Sequence, residues 1–241
     1  MKSYKARGVV LHTLKYGENS MVVFMLTDAH GRQSYMVQGV RSQRGKGNRA
    51  ALYQPMFVLD MVGLESPKMQ MHRIREVRSA FPLATLPFDV RKSTISLFMA
   101  ETLYRLVKEV EPRSPLFDFV CDAVAALDAV EDGVANFHLW FLVRLSAYLG
   151  FYPGNEYEQG SVFDIEEGLF VLHTPRHGLA VNPDNSRILG ELMDADVASL
   201  AEIKLGRVQR SDFLTSMLTY FGYHLDAIHH VRSIQILRDV F

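Results

Sequence analysis

The chain has 241 residues, of which 48% are hydrophobic and 22% charged, an ordinary globular composition for one large or two modest domains. No run approaches the roughly 20 apolar residues of a membrane helix, and the basic start lacks the cleavage site of a signal peptide. The lone Cys121 excludes an internal disulfide and a cysteine zinc site, which favours a cytoplasmic location.

The net charge of −1 hides an uneven distribution. Residues 1–80 carry 13 Lys and Arg against five Asp and Glu, a formal charge of +8. The remaining residues carry 13 bases and 22 acids, a formal charge of −9. Such asymmetry is a hint that one part of a chain binds nucleic acid.

Residues 1–80 have the pattern of strands joined by short turns. Alternating or continuous apolar runs predict five strands, at about 6–14, 21–27, 33–40, 56–63 and 69–79. Five strands with one long insertion fit a small closed barrel of the OB type. An SH3-like barrel or an open sheet would produce much the same pattern.

Helical periodicity dominates after Pro82. We predict helices at about 89–109, 115–132, 136–149, 187–193, 197–203, 211–225 and 231–240. The helix at 136–149 is apolar nearly all round, which is typical of the buried centre of a bundle. Residues 151–183 predict a loop-rich insert with one or two short hairpins. The expected fold is therefore α+β, with an OB-type barrel in residues 1–80 and a helical domain in residues 81–241.

The most unusual stretch lies in the insertion between the third and fourth strands. Residues 41–49 contain four cations and no acid, together with glycines that disfavour helix and strand: Arg41, Arg44, Lys46 and Arg49 are the cations. A loop of this kind can bind a phosphate backbone, because each neutralised phosphate releases counterions. The alternative is a solvated surface loop.

Enzymatic motifs are not evident. The stretch 39–47 has five residues between its glycines and Gly47 where a phosphate loop needs Ser or Thr. The cluster of His224, Asp226, His229 and His230 lacks the spacing of helical metal ligands, and no Gly-x-Ser-x-Gly elbow is present. We therefore expect a protein that is not an enzyme and that has no cofactor or metal.

Two tyrosines flank the cationic insertion. Tyr35 lies on the strand that precedes it and Tyr53 lies just after it. Exposed aromatic rings can stack on nucleobases without sequence preference, which makes Tyr35 a candidate binding residue. The alternative is that each ring packs inside the barrel with its hydroxyl at the rim.

Several short motifs resemble one known family in both order and spacing. They are Arg7-Gly8-Val9-Val10-Leu11, Tyr16-Gly17-Glu18, residues 26–32, Gly39-Val40-Arg41, Gln54-Pro55-Met56, residues 149–153 and residues 231–237. Together they resemble the RecO family of DNA-repair recombination mediators over nearly the full chain. Many relatives carry a four-cysteine zinc module after the helical core, but residues 151–183 contain no cysteine, so this insert must be held by packing.

The resemblance implies a non-enzymatic, nucleoid-associated protein that binds single- and double-stranded DNA and anneals complementary strands. It also implies that the protein helps RecR to load RecA onto strands coated by single-stranded-DNA-binding protein (SSB). The expected DNA contacts are Arg7, Lys15, Arg32, Arg41, Arg44, Lys46 and Arg49. The pocket for the SSB tail cannot be placed residue by residue; its candidate cations are Arg105, Lys108 and Arg144. The rival hypothesis is a protein–protein adaptor with incidental DNA affinity.

Overall fold

The computed structural model describes residues 2–39, 49–65 and 71–241. The chain forms two compact units, Met1–Asp128 and Ala129–Phe241. The first unit holds a β-barrel and two helices, and the second is mainly helical. Among the described residues, no helix combines the length and the apolar character needed to cross a bilayer.

Five strands close into a barrel in the order β1-β2-β3-β5-β4. They are β1 (Lys2–Tyr16), β2 (Ser20–Thr27), β3 (Gly31–Gln38), β4 (Val58–Glu65) and β5 (His72–Ser79). The long β1 pairs with both β2 and β4, and β3 runs parallel to β5. This closure and order are those of an OB-type barrel, so the predicted fold class is confirmed and the open-sheet alternative is excluded.

A bulge in β1 decides which side chains face the barrel core. Val10 pairs with Met25 and lies in the core, whereas the next paired residue, His12, lies opposite Phe24. The extra residue, Leu11, reverses the inward and outward alternation for the rest of the strand. From His12 onward, the even-numbered residues of β1 therefore face outward.

Two helices complete the first unit: α1 (Val90–Leu106) and α2 (Pro115–Ala129). Asp89, the first residue of the helix predicted at 89–109, caps α1 by accepting from the backbone N–H groups of Arg91 and Lys92. At the C-terminal end of α2, the Asp128 carboxylate accepts from three consecutive backbone N–H groups at residues 84–86. The buried Lys92 ammonium donates to the Asp128 carbonyl and to Thr85. This network fixes the connection between the barrel and its helices.

The second unit is built around α3 (Val134–Leu149), most of whose residues are buried, as its apolar sequence predicts. Helices α4 (Pro183–Asp194) and α5 (Arg207–His224) pack against α3, and α6 (Ser233–Val240) follows. Several helix ends differ from the prediction by three or four residues: α1 and α2 each end three residues early, and α4 begins at Pro183 instead of 187. Helix α5 begins four residues before Ser211, with Gly206 as its cap. Residues 197–203 form only a 3-10 turn, Ser199–Ala201, because the Asp196 and Ser199 side chains bond to nearby backbone groups.

The insert contains one hairpin, formed by β6 (Val162–Asp164) and β7 (Leu169–Val171). Phe163 and Phe170 pack edge to face within it, which fits the expectation of a packed insert. The buried Asp164 carboxylate also accepts from the N–H groups of Glu166 and Glu167 and lies 3.1 Å from the His177 ring. Packing and this carboxylate therefore stabilise the insert together.

Candidate nucleic-acid interface

The cationic segment lies between β3 and β4, as the sequence predicts. Its cations Arg41, Arg44 and Lys46 lie outside the described residues. Arg49 begins a short 3-10 turn, Arg49–Tyr53, that leads the chain back to the barrel, and its side chain is also outside the described part. The structure thus gives the attachment of this segment to the barrel.

Strand β3, which leads into this insertion, lies beside β2, and β2 lies beside β1, so the three strands share one outer surface. Strand register places His12, Phe24 and Ser34 in one row across this face, which we call the outer face. Tyr104 of α1 covers that row, with ring centroids 4.5 Å from His12 and 5.2 Å from Phe24. Burial beneath the helix and the nearby Arg105 lower the pKa of His12, so this histidine is neutral near pH 7.

Arg32 lies near the same helix and has partners within the chain. Its guanidinium donates a hydrogen bond to the Val107 carbonyl just after α1, and it lies 4.7 Å above the Tyr104 ring. A phosphate would have to share this half-buried guanidinium with both partners. Arg32 therefore has a structural role beside the DNA contact expected of it.

Arg7 lies on the other side of the barrel, where β1, β4 and β5 run side by side. Its guanidinium donates to Asp60 at 2.9 Å, and Arg78 donates to the other oxygen of the same carboxylate at 3.2 Å. The hydrogen bond to Asp60 raises the pKa of Arg7. Arg7 and Arg78 therefore share the negative charge of Asp60, which partly compensates Arg7 without any phosphate.

A cleft of about 670 Å³ opens beside this ion-paired group. Its lining carries both signs of charge: Lys5, Arg7 and Arg78 are the cations, and Asp28, Asp60, Glu76 and Asp118 are the acids. Because the acids outnumber the bases, the cleft does not favour a polyanion. Lys15, by contrast, is exposed at the end of β1.

The stacking role expected of Tyr35 is corrected by its burial. Its side chain has 0% exposure and belongs to the barrel core, and the Tyr4 hydroxyl donates to its hydroxyl at 3.1 Å. Burial raises its pKa. Tyr53 is also buried, at 4% exposure. A base could reach neither ring without opening the barrel, so the packing alternative holds for both.

The candidate cations for partner binding have different surroundings. Arg105 pairs with Glu101 at 3.7 Å on α1, and Lys108 is exposed after that helix. Arg144 belongs to the second unit, where its guanidinium and the Trp140 indole both donate to the Ala195 carbonyl. Arg144 therefore ties α3 to the end of α4.

Neither a metal site nor a reactive thiol emerges from the geometry. Within residues 2–39, 49–65 and 71–241, no group of three His, Cys, Asp or Glu side chains could hold a metal ion. Burial raises the pKa of the Cys121 thiol to about 12, so it is protonated at neutral pH.

The fold places the protein in the class in which an OB-type barrel precedes an α-helical region. Family models match both parts: "Recombination protein O N terminal" matches residues 1–83, and "Recombination protein O C terminal" matches residues 87–233. The chain therefore belongs to the RecO family of DNA repair proteins.

Curated relatives agree with this assignment over nearly their full length. The chain is 34% identical over 238 residues to the DNA repair protein RecO of Phocaeicola vulgatus, with 98% of each chain covered. It is 34% identical over 239 residues to that of Bacteroides fragilis, and 31% identical over 238 residues to that of Flavobacterium psychrophilum, again with 98% of each chain covered.

Proposed function

We propose that the protein is a recombination mediator that binds single- and double-stranded DNA through the cations of its OB-type barrel and anneals complementary strands. With RecR it helps to load RecA onto SSB-coated single strands. The observation that carries this proposal is the four-cation segment 41–49 inserted into a barrel of the nucleic-acid-binding type, within an N-terminal third of charge +8. Family membership supports the role in repair.

The proposed mechanism is electrostatic. Cations contact the phosphates of a strand and release its counterions, which gives affinity without sequence preference. Two strands held on one cationic surface repel each other less, and this lowers the barrier to annealing. The segment 41–49 supplies most of the attraction in this proposal, because Arg7 and Arg32 already have intramolecular partners and Lys15 shares its hairpin with the acidic Glu18.

A salt titration tests the proposal. We expect the triple variant Arg41→Ala, Arg44→Ala, Lys46→Ala to bind a short single strand more weakly. Its slope of log K against log salt should flatten by about 0.7 for each lost phosphate contact, or about 2 in total. The measurement is fluorescence anisotropy of a labelled oligonucleotide at several salt concentrations. Annealing of complementary strands should slow in parallel.

A matched control removes the same charge elsewhere. Arg176, Lys204 and Arg232 are exposed in the second unit, and their replacement by Ala should leave the salt slope unchanged. An equal change in both triple variants would mean that net charge alone governs binding. An unchanged slope in the first variant would place DNA elsewhere, and weak wild-type binding near physiological salt would support the adaptor hypothesis.

A further inference from the structure

The outer face continues beyond the row that Tyr104 covers. The next row contains Leu14, Val22 and Met36, and the last row contains Tyr16, Ser20 and Gln38. Tyr16 faces outward in this last row because the bulge at Leu11 has reversed the alternation of β1.

Two large side chains are exposed in these last rows. Leu14 is 47% exposed and Tyr16 is 58% exposed, whereas Val22 between the strands is buried. An aromatic ring that stands on a sheet next to an aliphatic side chain offers a flat apolar surface to a ligand. On OB-type barrels, the face of strands 2 and 3 and the loop between strands 1 and 2 are where oligonucleotides bind.

We propose that Tyr16, with Leu14 in the neighbouring row, is a platform on which an unpaired nucleobase stacks. This inference rests on the proposed DNA-binding function and adds a contact that requires single-stranded character. A duplex keeps its bases stacked inside, so it can engage the cations of the barrel but not this ring. Tyr16 thereby gives the barrel a preference for single strands that phosphate contacts alone do not supply.

The charges near Tyr16 bear on which ligand binds at this ring. Lys15 and Glu18 flank the tyrosine on the β1–β2 hairpin and have opposite signs, so the hairpin itself has little net attraction for a polyanion. The cationic segment begins at Arg41, three residues after Gln38, which lies in the same row as Tyr16. Three residues span at most about 11 Å. Gln38 and Tyr16 are separated by one intervening strand, about 10 Å at the usual strand spacing, so an oligonucleotide of a few residues is long enough to contact both.

The test compares Tyr16→Ala and Tyr16→Phe on three ligands of equal length: oligo(dT), an abasic strand with the same number of phosphates, and a duplex. On oligo(dT) we expect Tyr16→Ala to bind five- to 150-fold more weakly, the loss of about 1–3 kcal/mol of stacking. Tyr16→Phe should bind within twofold of wild type, because it keeps the ring. Wild type, Tyr16→Ala and Tyr16→Phe should have the same affinity for the abasic strand, and they should likewise have the same affinity for the duplex. The slope of log K against log salt should be the same for all three proteins.

Two controls protect the interpretation. Tyr148, an exposed tyrosine of the second unit, serves as the matched position, and Tyr148→Ala should bind oligo(dT) like wild type. Thermal unfolding should show that Tyr16→Ala is folded, as the exposure of the side chain implies.

The outcomes separate this inference from the function on which it rests. If wild type shows salt-dependent binding but Tyr16→Ala loses nothing on oligo(dT), or loses equally on the duplex, the platform is overturned and the DNA-binding proposal stands. If wild type binds none of the three ligands, both are overturned. A Tyr16→Phe variant as weak as Tyr16→Ala would assign the effect to the hydroxyl and would overturn stacking.

Discussion

Arg32 shows how one cation can serve the fold in a protein whose barrel is expected to bind a polyanion. One side of the guanidinium is shielded from solvent, since it lies against the Tyr104 ring and donates to the Val107 carbonyl just after α1. Hydrogen bonds from a charged donor and cation–π contacts each stabilise the folded state. Arg32 therefore holds the end of a helix against the barrel.

We expect Arg32→Ala to lower the free energy of unfolding by about 1–3 kcal/mol, because a charge-assisted hydrogen bond and a cation–π contact are lost at a half-buried position. Urea unfolding measures this change. The matched variant is Arg75→Ala, whose side chain is exposed and pairs with its neighbour Glu76, so its cost should be within about 0.5 kcal/mol. An Arg32→Ala protein as stable as wild type that binds DNA with a flatter salt slope would instead make Arg32 a phosphate contact.

The β2–β3 hairpin and the segment after α1 are packed backbone to backbone. Gly31 has a φ of +61°, and a Cβ added there would lie 1.8 Å from the Val110 carbonyl oxygen. The Arg113 N–H also donates to the Asp28 carbonyl at 2.7 Å. The segment that connects α1 to α2 therefore follows the hairpin closely, and only glycine fits at position 31.

This packing predicts a large difference between two glycines of the same backbone conformation. Gly17, in the β1–β2 turn, has a φ of +65°, but among the described residues no atom lies within 4 Å of an added Cβ. Gly17→Ala should cost only the left-handed strain, about 1–2 kcal/mol. Gly31→Ala adds a backbone collision and should cost more than about 4 kcal/mol or prevent folding. Thermal and urea unfolding of both variants measure the difference, and equal costs would mean that the connecting segment moves away freely.

The sequence is sufficient for the elements whose cause is local. Asp89 as a cap, the apolar α3 and the five strands follow from spacing and composition, because these depend on residues a few positions apart. The sequence is insufficient where a single inserted residue sets the direction of a side chain, or where a side chain bonds to a partner far along the chain. The bulge at Leu11 turns Tyr16 outward although strict alternation from the buried Val10 would point it inward. Arg32 finds its acceptor 75 residues away, which no periodicity reveals.

The distribution of charge along the chain is also readable from the sequence, whereas its pairing is not. Asp60 compensates Arg7 and Arg78 only because β4 lies between β1 and β5 in the closed barrel. The strand order of the barrel thus determines which of the N-terminal cations are ion-paired with an acid and so attract an anionic ligand less strongly. This is why the outer face near the cationic segment, rather than the β1–β4–β5 side, is the better candidate for DNA.

Histidines in both units give the folding stability a pH dependence. Burial lowers the pKa of His12, His72 and His224, and it lowers the pKa of His138 to about 3, with Arg210 adding to the effect. His138 is fully enclosed on α3 and stacks on Phe241 at 5.5 Å. In the unfolded chain these rings regain a pKa near 6.5. As the pH falls below 6.5, these histidines therefore become protonated in the unfolded state but stay neutral in the folded state, which lowers the free energy of unfolding.

We accordingly expect the free energy of unfolding to be nearly constant between about pH 7 and 8 and to fall as the pH drops from about 6.5 toward 4.8, a range in which most carboxylates stay ionised. Urea unfolding at pH 7.5, 6.5, 5.5 and 4.8 measures this slope. His138→Phe keeps a ring against Phe241 but cannot be protonated, so its slope should be shallower than that of wild type whatever its stability at pH 7.5. His173→Phe, at an exposed position, is the matched control and should keep the wild-type slope. Equal slopes for His138→Phe and wild type would show that His138 is protonated in the folded state as readily as in the unfolded state.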